Sequence, residues 1–507
     1  MVVVVNFGGQ YAHLIARRVR ELGVKSELVA PDIPKTQLEK LNPDAIILSG
    51  SPFSVYEKGA PKLDPSVYEL DIPILGICYG MQLIAYQLGG KVTSHEAKQF
   101  GKVRVEIKNS KLFDGLSGDQ TVWFSHGDAV DRLPAQFEQI AETSFVKNAG
   151  FESTKGNIFG IQFHPEVTHT PSGMKILSNF LFNISKAKKD WNIKEVKNQI
   201  ITNLKKEVGR DKVVMALSGG VDSLVAATLL AEVLGDNLYC VFIDTGFLRS
   251  YDLDDLEKVV KKVKFKNVKV VRASDRFLKT LKKVVDPEEK RGKIAKIYFE
   301  ILEEEAKKIG KQVNFLGQGT IYPDRIESAQ PTKHADKIKS HHNVTLPHGL
   351  KLKVVEPVAE LYKDEVRQIG KLLKIPQDFL MRHPFPGPGQ AIRIVGEVTP
   401  ERLEILRKAD EIFISELKSS GVYNMVGQAL AALLPVKAVG VMGDARTYSY
   451  IIALRAVDTV DFMTADWSKI PNEVREKVSS RIVNEVRGVN RVVYDITQKP
   501  PATIEYE

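Results

Sequence analysis

Short runs made wholly of apolar residues, each followed by a longer stretch with helical spacing, constrain this chain more than any other feature. VVVVNF (2–7) leads into a helical pattern from Tyr11 to Leu22, and AIILSG (45–50), IPILGI (72–77) and IFGIQF (158–163) repeat the theme. A strand without polar alternation has both faces covered, so this first part predicts a mostly parallel sheet with helices on either side. The pattern restarts at KVVMAL (212–217), with a helix over 224–235, then LYCVFID (238–244) and VKVVRAS (268–274). Between the two series, ISKAKKDWNIKEVK (184–197) is basic and reads as a linker entering a helix. After the Pro/Gly cluster RHPFPGPGQ (382–390) a helix begins near Pro400, followed by strands at 436–443, 448–457 and 491–497 and a helix near 472–487. These last strands alternate, as expected of a smaller α+β module. The fold class expected is therefore α/β: two consecutive mostly parallel-sheet α/β domains, then a smaller α+β domain, divided at 1–186, 187–390 and 391–507.

Composition narrows the function. At 507 residues the chain has room for about three domains of ordinary size. No stretch approaches the roughly 20 apolar residues that span a bilayer. The start, MVVVVNFGGQ, lacks a basic lead and reads as a buried strand, not a signal peptide. A soluble, cytoplasmic protein with no membrane partner is expected. Two cysteines, Cys78 and Cys240, exclude a disulfide framework and a four-cysteine zinc site. The net charge of +9 favours anionic partners such as nucleotides. Spread over this length it is a mild excess. An RNA-binding protein would carry it as a concentrated stripe, so no nucleic-acid partner is expected.

Gly76-Ile77-Cys78-Tyr79-Gly80 lies between a strand and the helical run MQLIAYQLG. G-x-C-x-G is the thiol counterpart of the G-x-S-x-G nucleophile elbow. Its glycines permit a strained turn, and the sulfur falls at a helix N-terminus, which stabilises thiolate. A cysteine nucleophile needs a base and an orienting group, and IQFHPEV offers His164 and Glu166 just past a strand. A lone cysteine is more often a small core residue; the elbow together with H-x-E reverses that judgement. GICYGMQ with FHPEV resembles the class I glutamine amidotransferases. The resemblance implies a thioester on Cys78, His164 as base and Glu166 as its orienting partner. LSGSPFSV (48–55) is similar to the family's oxyanion loop, usually LSGGP, implying backbone donors from Gly50 and Tyr79, with Ser51 replacing a glycine. Gln82 and the run Ser125, His126, Gly127, Asp128 match positions that hold glutamine. Read plainly, they are a helix surface and an ordinary turn.

The second constellation is Ser218-Gly219-Gly220-Val221-Asp222-Ser223, between strand KVVMAL and a helix. Inward backbone N–H groups, hydroxyls and a helix N-terminus make a phosphate cradle. It is neither a Walker A loop nor a dinucleotide fingerprint. SGGVDS resembles the pyrophosphate loop of the N-type ATP pyrophosphatases, implying ATP as co-substrate, adenylation of an oxygen, and Asp222 as a Mg²⁺ ligand. IDTGFLR (243–249) is then the place for adenosine, and Cys240 is plain core.

DPEEKRGKI (286–294), GQGTIYPDRIES (317–328), KIKSHHNV (337–344), RHPFPGPGQAIR (382–393), LLPVKAVGVMGDARTY (433–448) and NRVVYDITQKPPATIEYE (490–507) closely resemble the glutamine-hydrolysing GMP synthase family over essentially the whole chain. That resemblance implies glutamine, ATP and xanthosine monophosphate (XMP) as substrates and a dimer-forming C-terminal module. XMP would be held by Arg291, Gln428, Lys499, Ile504 and Glu505, and a lid over ATP would contain His341 and His342. Departures from the family's usual residues are Gln390 for Leu, Gly427 for Trp, Ala445 for Gly and Arg325 for Val. Rivals are an amidotransferase of the same design with another acceptor, such as an NAD or asparagine synthetase, a tRNA-modifying protein, and a binding protein with a dead amidotransferase domain.

Overall fold

The computed structural model describes residues 1–310, 313–324, 352–442, 445–459, 462, 465–499 and 501–507. The lid motif with His341 and His342, and Arg325, lie outside the described residues. Two compact units emerge, one over Met1–Asn192 and one beginning at Ile193.

The first unit is built on strands β1 (Val2–Val5), β2 (Ser26–Val29), β3 (Ala45–Leu48), β4 (Ile74–Ile77), β5 (Lys91–Ile107), β6 (Gln120–Arg132), β7 (Phe137–Glu142), β8 (Gly150–Ser153) and β9 (Ile158–Ile161). They form one sheet in the order β2-β1-β3-β4-β9-β8-β7-β5-β6. The five strands from β2 to β9 run parallel. They are the short apolar runs read from the sequence, and alternation of side chains across the sheet explains their composition. Val2 and Val4 enter one core while Val3 and Val5 enter the other. The remaining strands, β8, β7, β5 and β6, continue the sheet with antiparallel pairings. Sequence reading left these unnamed because they carry polar residues on one face.

The second unit holds a wholly parallel sheet, β12-β11-β10-β13-β14, from β10 (Lys212–Leu217), β11 (Leu238–Asp244), β12 (Asn267–Arg272), β13 (Val313–Gly317) and β14 (Lys353–Val355). Strand order reverses between β10 and β13, and ligands of open α/β sheets bind at such a switch point, beyond the carboxyl ends of the strands. The same unit carries β15 (Gln428–Met442), β16 (Ala445–Asp458), β17 (Asp466–Trp467) and β18 (Val489–Asp495). Here β16 pairs antiparallel with β15 and β17 and parallel with β18. Helices Pro400–Ser419 and Asn472–Glu485 pack against this sheet. One apolar core runs from Val214 and Leu302 through Leu406 to Ile452 and Ile482, so both sheets of this unit share it. Among the described residues no helix is long and apolar enough to cross a membrane.

Candidate active sites

Because β4 and β9 are parallel neighbours with Ile77 opposite Ile161, their carboxyl ends deliver Cys78 and His164 to one place. Cys78 caps helix Tyr79–Gln87 with φ 56° and ψ −109°, a backbone strain typical of nucleophile elbows. The flanking glycines are sterically required. A Cβ on Gly80 would lie 2.3 Å from the Leu48 carbonyl oxygen, and one on Gly76 would lie 2.6 Å from the Gly80 carbonyl carbon. The Cys78 N–H donates to the Ile161 carbonyl at 2.8 Å, tying elbow to β9.

His164 and Glu166 are buried, and His164 Nδ1 lies 2.6 Å from Glu166 Oε1. Burial alone would lower the His164 pKa. The Glu166 carboxylate and the contact with Cys78 outweigh it and hold the imidazole well above its ordinary value. Gln162, fully buried, donates from Nε2 to Cys78 Sγ at 3.6 Å. Gly50 stands beside the pair, since a Cβ there would be 3.5 Å from His164 Cε1 and 4.0 Å from Cys78 Cβ. Tyr79 opens the helix, where backbone N–H groups lack intrahelical acceptors. Ser51, in place of glycine, accepts from the Phe53 N–H at 3.3 Å and avoids the left-handed region, so the loop does not depend on the missing glycine.

Ser125, His126, Gly127 and Asp128 lie within β6, not in a turn. Gln82 reaches them by donating from Nε2 to the Asp128 carbonyl at 2.9 Å, while Tyr56 donates to Asp128 Oδ1 at 2.9 Å. His126 Nδ1 sits 2.6 Å from the Asp128 carbonyl oxygen. The sequence-predicted glutamine residues therefore share one wall beside Cys78, whose thiol lies 3.8 Å from the Ser125 carbonyl oxygen.

In the second unit, Ser218, Gly219, Gly220, Val221, Asp222 and Ser223 turn from the end of β10 into helix Val221–Leu234. Gly219 has φ +81°, and the two loop hydroxyls lie 3.0 Å apart. The loop packs so closely on the segment after β13 that a Cβ on Gly319 would be 2.5 Å from the Ser223 nitrogen. Asp222 Oδ2 pairs with the Lys363 ammonium, and Asp222 Oδ1 is buried without a partner. Lys363 was missed by sequence reading because it lies 141 residues away and opens its own helix, Lys363–Leu372. Cys240 is core, its thiol pushed up to about 12 by burial.

The residues expected at XMP make three sets of contacts. Gln428 Nε2 and Arg393 Nη2 both donate to Glu505 Oε1, at 2.8 and 3.0 Å. Arg393, fully buried, also faces Asp410 at 3.6 Å. Burial alone would lower Arg393; the Glu505 and Asp410 carboxylates outweigh it and keep the guanidinium charged. Arg291 bonds the Glu507 backbone carbonyl, next to the buried ion pair of Lys290 with the Glu507 side chain. Lys499 Nζ donates to the Phe462 carbonyl at 2.6 Å, and Ile504 packs with Leu430, Val457 and Ala465. Arg393, Asp410 and Lys290 were not singled out in the sequence, although Arg393 ends the RHPFPGPGQAIR motif. Gln390 places its amide 3.4 Å from Asp410 Oδ2. Gly427 meets Thr459 so closely that a Cβ would lie 2.8 Å from it.

A cysteine elbow with a buried His–Glu pair in one unit and a glycine-containing strand-to-helix loop at a switch point in the other are the features of a glutamine-dependent, ATP-using ligase. Residues 3–184 match the family model for class-I glutamine amidotransferase, 193–307 that for NAD synthase, and 415–506 that for the GMP synthase C-terminal domain. A GMP synthase [glutamine-hydrolyzing] of Aquifex aeolicus (strain VF5) is 53% identical over 508 residues, covering 100% of this chain and 99% of the relative. Those of Carboxydothermus hydrogenoformans and Thermosipho melanesiensis are 51% and 50% identical with the same coverage. The chain belongs to the glutamine-hydrolysing GMP synthase family.

Proposed function

We propose that the chain converts XMP to GMP with ammonia drawn from glutamine, using Cys78, His164 and Glu166 for hydrolysis and the Ser218–Ser223 loop for adenylation. The 2.6 Å His164–Glu166 contact beside a strained Cys78, in a chain that follows GMP synthases end to end, carries this reading. The Cys78 thiolate attacks the glutamine amide carbon, and the Gly50 and Tyr79 N–H groups receive the oxyanion. His164, held protonated by Glu166, gives its proton to the departing ammonia, leaving a thioester on Cys78. His164 then takes a proton from water, which attacks the thioester and releases glutamate. Gln82, Ser125, His126, Gly127 and Asp128 hold the glutamine.

In the second unit, the C2 oxygen of XMP attacks the α-phosphate of ATP, and pyrophosphate departs into the Ser218–Ser223 cradle. Ammonia then displaces AMP to give GMP. Arg291, Gln428, Lys499, Ile504 and Glu505 hold XMP. Asp222 Oδ1, buried and unpartnered, suits Mg²⁺, which takes one or two carboxylates and fills its shell with phosphate oxygens and water. When bound, the ion would neutralise phosphate charge. We place the enzyme in the cytoplasm as a homodimer. Val436, Val439, Val441 and Tyr448, exposed on the β15–β16 hairpin, are the surface for that contact. Residues 1–186, 187–390 and 391–507 would then be its amidotransferase, ATP pyrophosphatase and dimerisation modules.

Incubation with XMP, ATP, Mg²⁺ and glutamine should yield GMP and AMP in equal amounts; AMP without GMP would mean uncoupled adenylation or another acceptor. Cys78→Ala should cut glutamine-dependent synthesis at least about a thousandfold and spare synthesis from ammonium. Asp222→Ala should stop both, and retained activity would remove Asp222 from the adenylation site.

A further inference from the structure

The glutaminase residues rest on helix Ala12–Glu21, which none of the chemistry above uses. Its capping residue Tyr11 sets its ring edge-on to His164, with centroids 4.8 Å apart. One turn on, Leu14 shares a buried cluster with Tyr11 and Val167. A further turn on, Arg18 donates from Nε to the Glu166 backbone carbonyl at 2.8 Å. Positions 11, 14 and 18 lie on one helical face, so a single stripe meets His164, Val167 and Glu166 in turn.

Arg18 is buried, and its other end is fixed by Glu21 at 2.6 Å. The far side of the same segment is also held. Thr170 Oγ1 donates to the His164 carbonyl at 2.7 Å and accepts from the Trp123 N–H at 3.0 Å. Gly173 lets the chain pass so close that a Cβ there would lie 1.8 Å from the Pro165 carbonyl oxygen. Past the end of β9 the His164 N–H donates to the Trp123 carbonyl at 3.0 Å, and the contacts of Arg18, Thr170 and Gly173 hold the rest of His164-Pro165-Glu166. A guanidinium is suited to this because its planar donors lock two acceptors at once, whereas an ammonium is a point charge.

We propose that Arg18 is a positioning residue for glutamine hydrolysis: it fixes the Glu166 main chain so that the carboxylate stays on His164 Nδ1. This rests on the triad reading above. Arg18→Met keeps the apolar stem and removes the donors. It should lower glutamine-dependent GMP synthesis about 10- to 100-fold, through kcat more than through the KM for glutamine, and leave ammonium-dependent synthesis unchanged. Because Glu166 sustains the His164 imidazolium, the alkaline limb of the glutaminase pH profile should move to lower pH. Arg18→Lys, which retains one donor, should recover part of both effects. Full glutaminase activity with an unmoved pH profile in Arg18→Met would overturn the proposal. Equal loss of ammonium-dependent synthesis would also overturn it, by showing a general folding role. Cys78→Ala separates the two levels: an active Cys78→Ala sinks the triad reading, whereas an inactive Cys78→Ala beside a fully active Arg18→Met sinks only the role of Arg18.

Discussion

His383 shows how one side chain's protonation is written into its contacts. Its Nδ1 accepts from the Ala429 N–H at 3.2 Å, so the proton must sit on Nε2, which faces the Tyr423 carbonyl at 2.9 Å. The ring stacks on Tyr423 with centroids 3.8 Å apart. Burial, above all, and the nearby Arg249 and Arg367 charges pull its pKa down to about 4. The unfolded chain binds this proton near pH 6.5 and the folded chain only near 4. Its contribution is therefore complete above about pH 6.5 and is lost as pH falls through about 4. The loss is on the order of 3 kcal/mol. Urea unfolding at pH 7 and pH 4.5 should show His383→Gln losing less stability on acidification than the wild type. Parallel losses in the two proteins would mean that His383 titrates normally.

At the scale of elements, the C-terminal segment is pinned to distant helices by buried charges. Lys290, fully buried on helix Pro287–Ile309, pairs with Glu507 and donates to the Ile394 carbonyl at 2.9 Å. Removing one partner strands the other in a low-dielectric interior, so Lys290→Met should cost the second unit about 3–5 kcal/mol by urea unfolding. Lys290→Met with Glu507→Met should cost clearly less than the sum of the two single changes. Additive losses would show that the charges do not depend on each other. This kind of contact also marks the limit of sequence reading. The Cys78 elbow and the Ser218–Ser223 loop were legible because strand, turn and helix sit within a few residues, and each glycine answers a local steric demand. The parallel strands were legible because both of their faces are apolar. Arg18 on Glu166, Lys363 on Asp222 and Lys290 on Glu507 join positions 148, 141 and 217 apart. A buried arginine or lysine looks like any surface cation until the fold supplies its partner.

For the whole molecule, the decisive feature is how the apolar cores are divided. The first unit has its own cores on the two faces of its sheet, while in the second a large core runs beneath both of its sheets and a smaller cluster around Leu430, Val457 and Ile504 lies apart from it. Cooperative unfolding follows shared cores, so the Ser218–Ser223 loop and the segment holding Glu505 should melt together although they belong to different sheets. Calorimetry should therefore show two transitions. Tryptophan emission can assign them, since Trp123 and Trp191 lie in the first unit and Trp467 in the second. A ligand that binds only the folded form stabilises its unit by about 2.7 kcal/mol at a hundredfold excess over Kd. That corresponds to roughly 5 °C for a unit of this size. ATP with XMP and Mg²⁺ should move the transition reported by Trp467 and leave the other in place. An alkylating glutamine analogue on Cys78 should do the reverse. A third transition, in which the β15–β18 sheet melts apart from the sheet bearing the Ser218–Ser223 loop, would mean that the shared core does not make them one cooperative body.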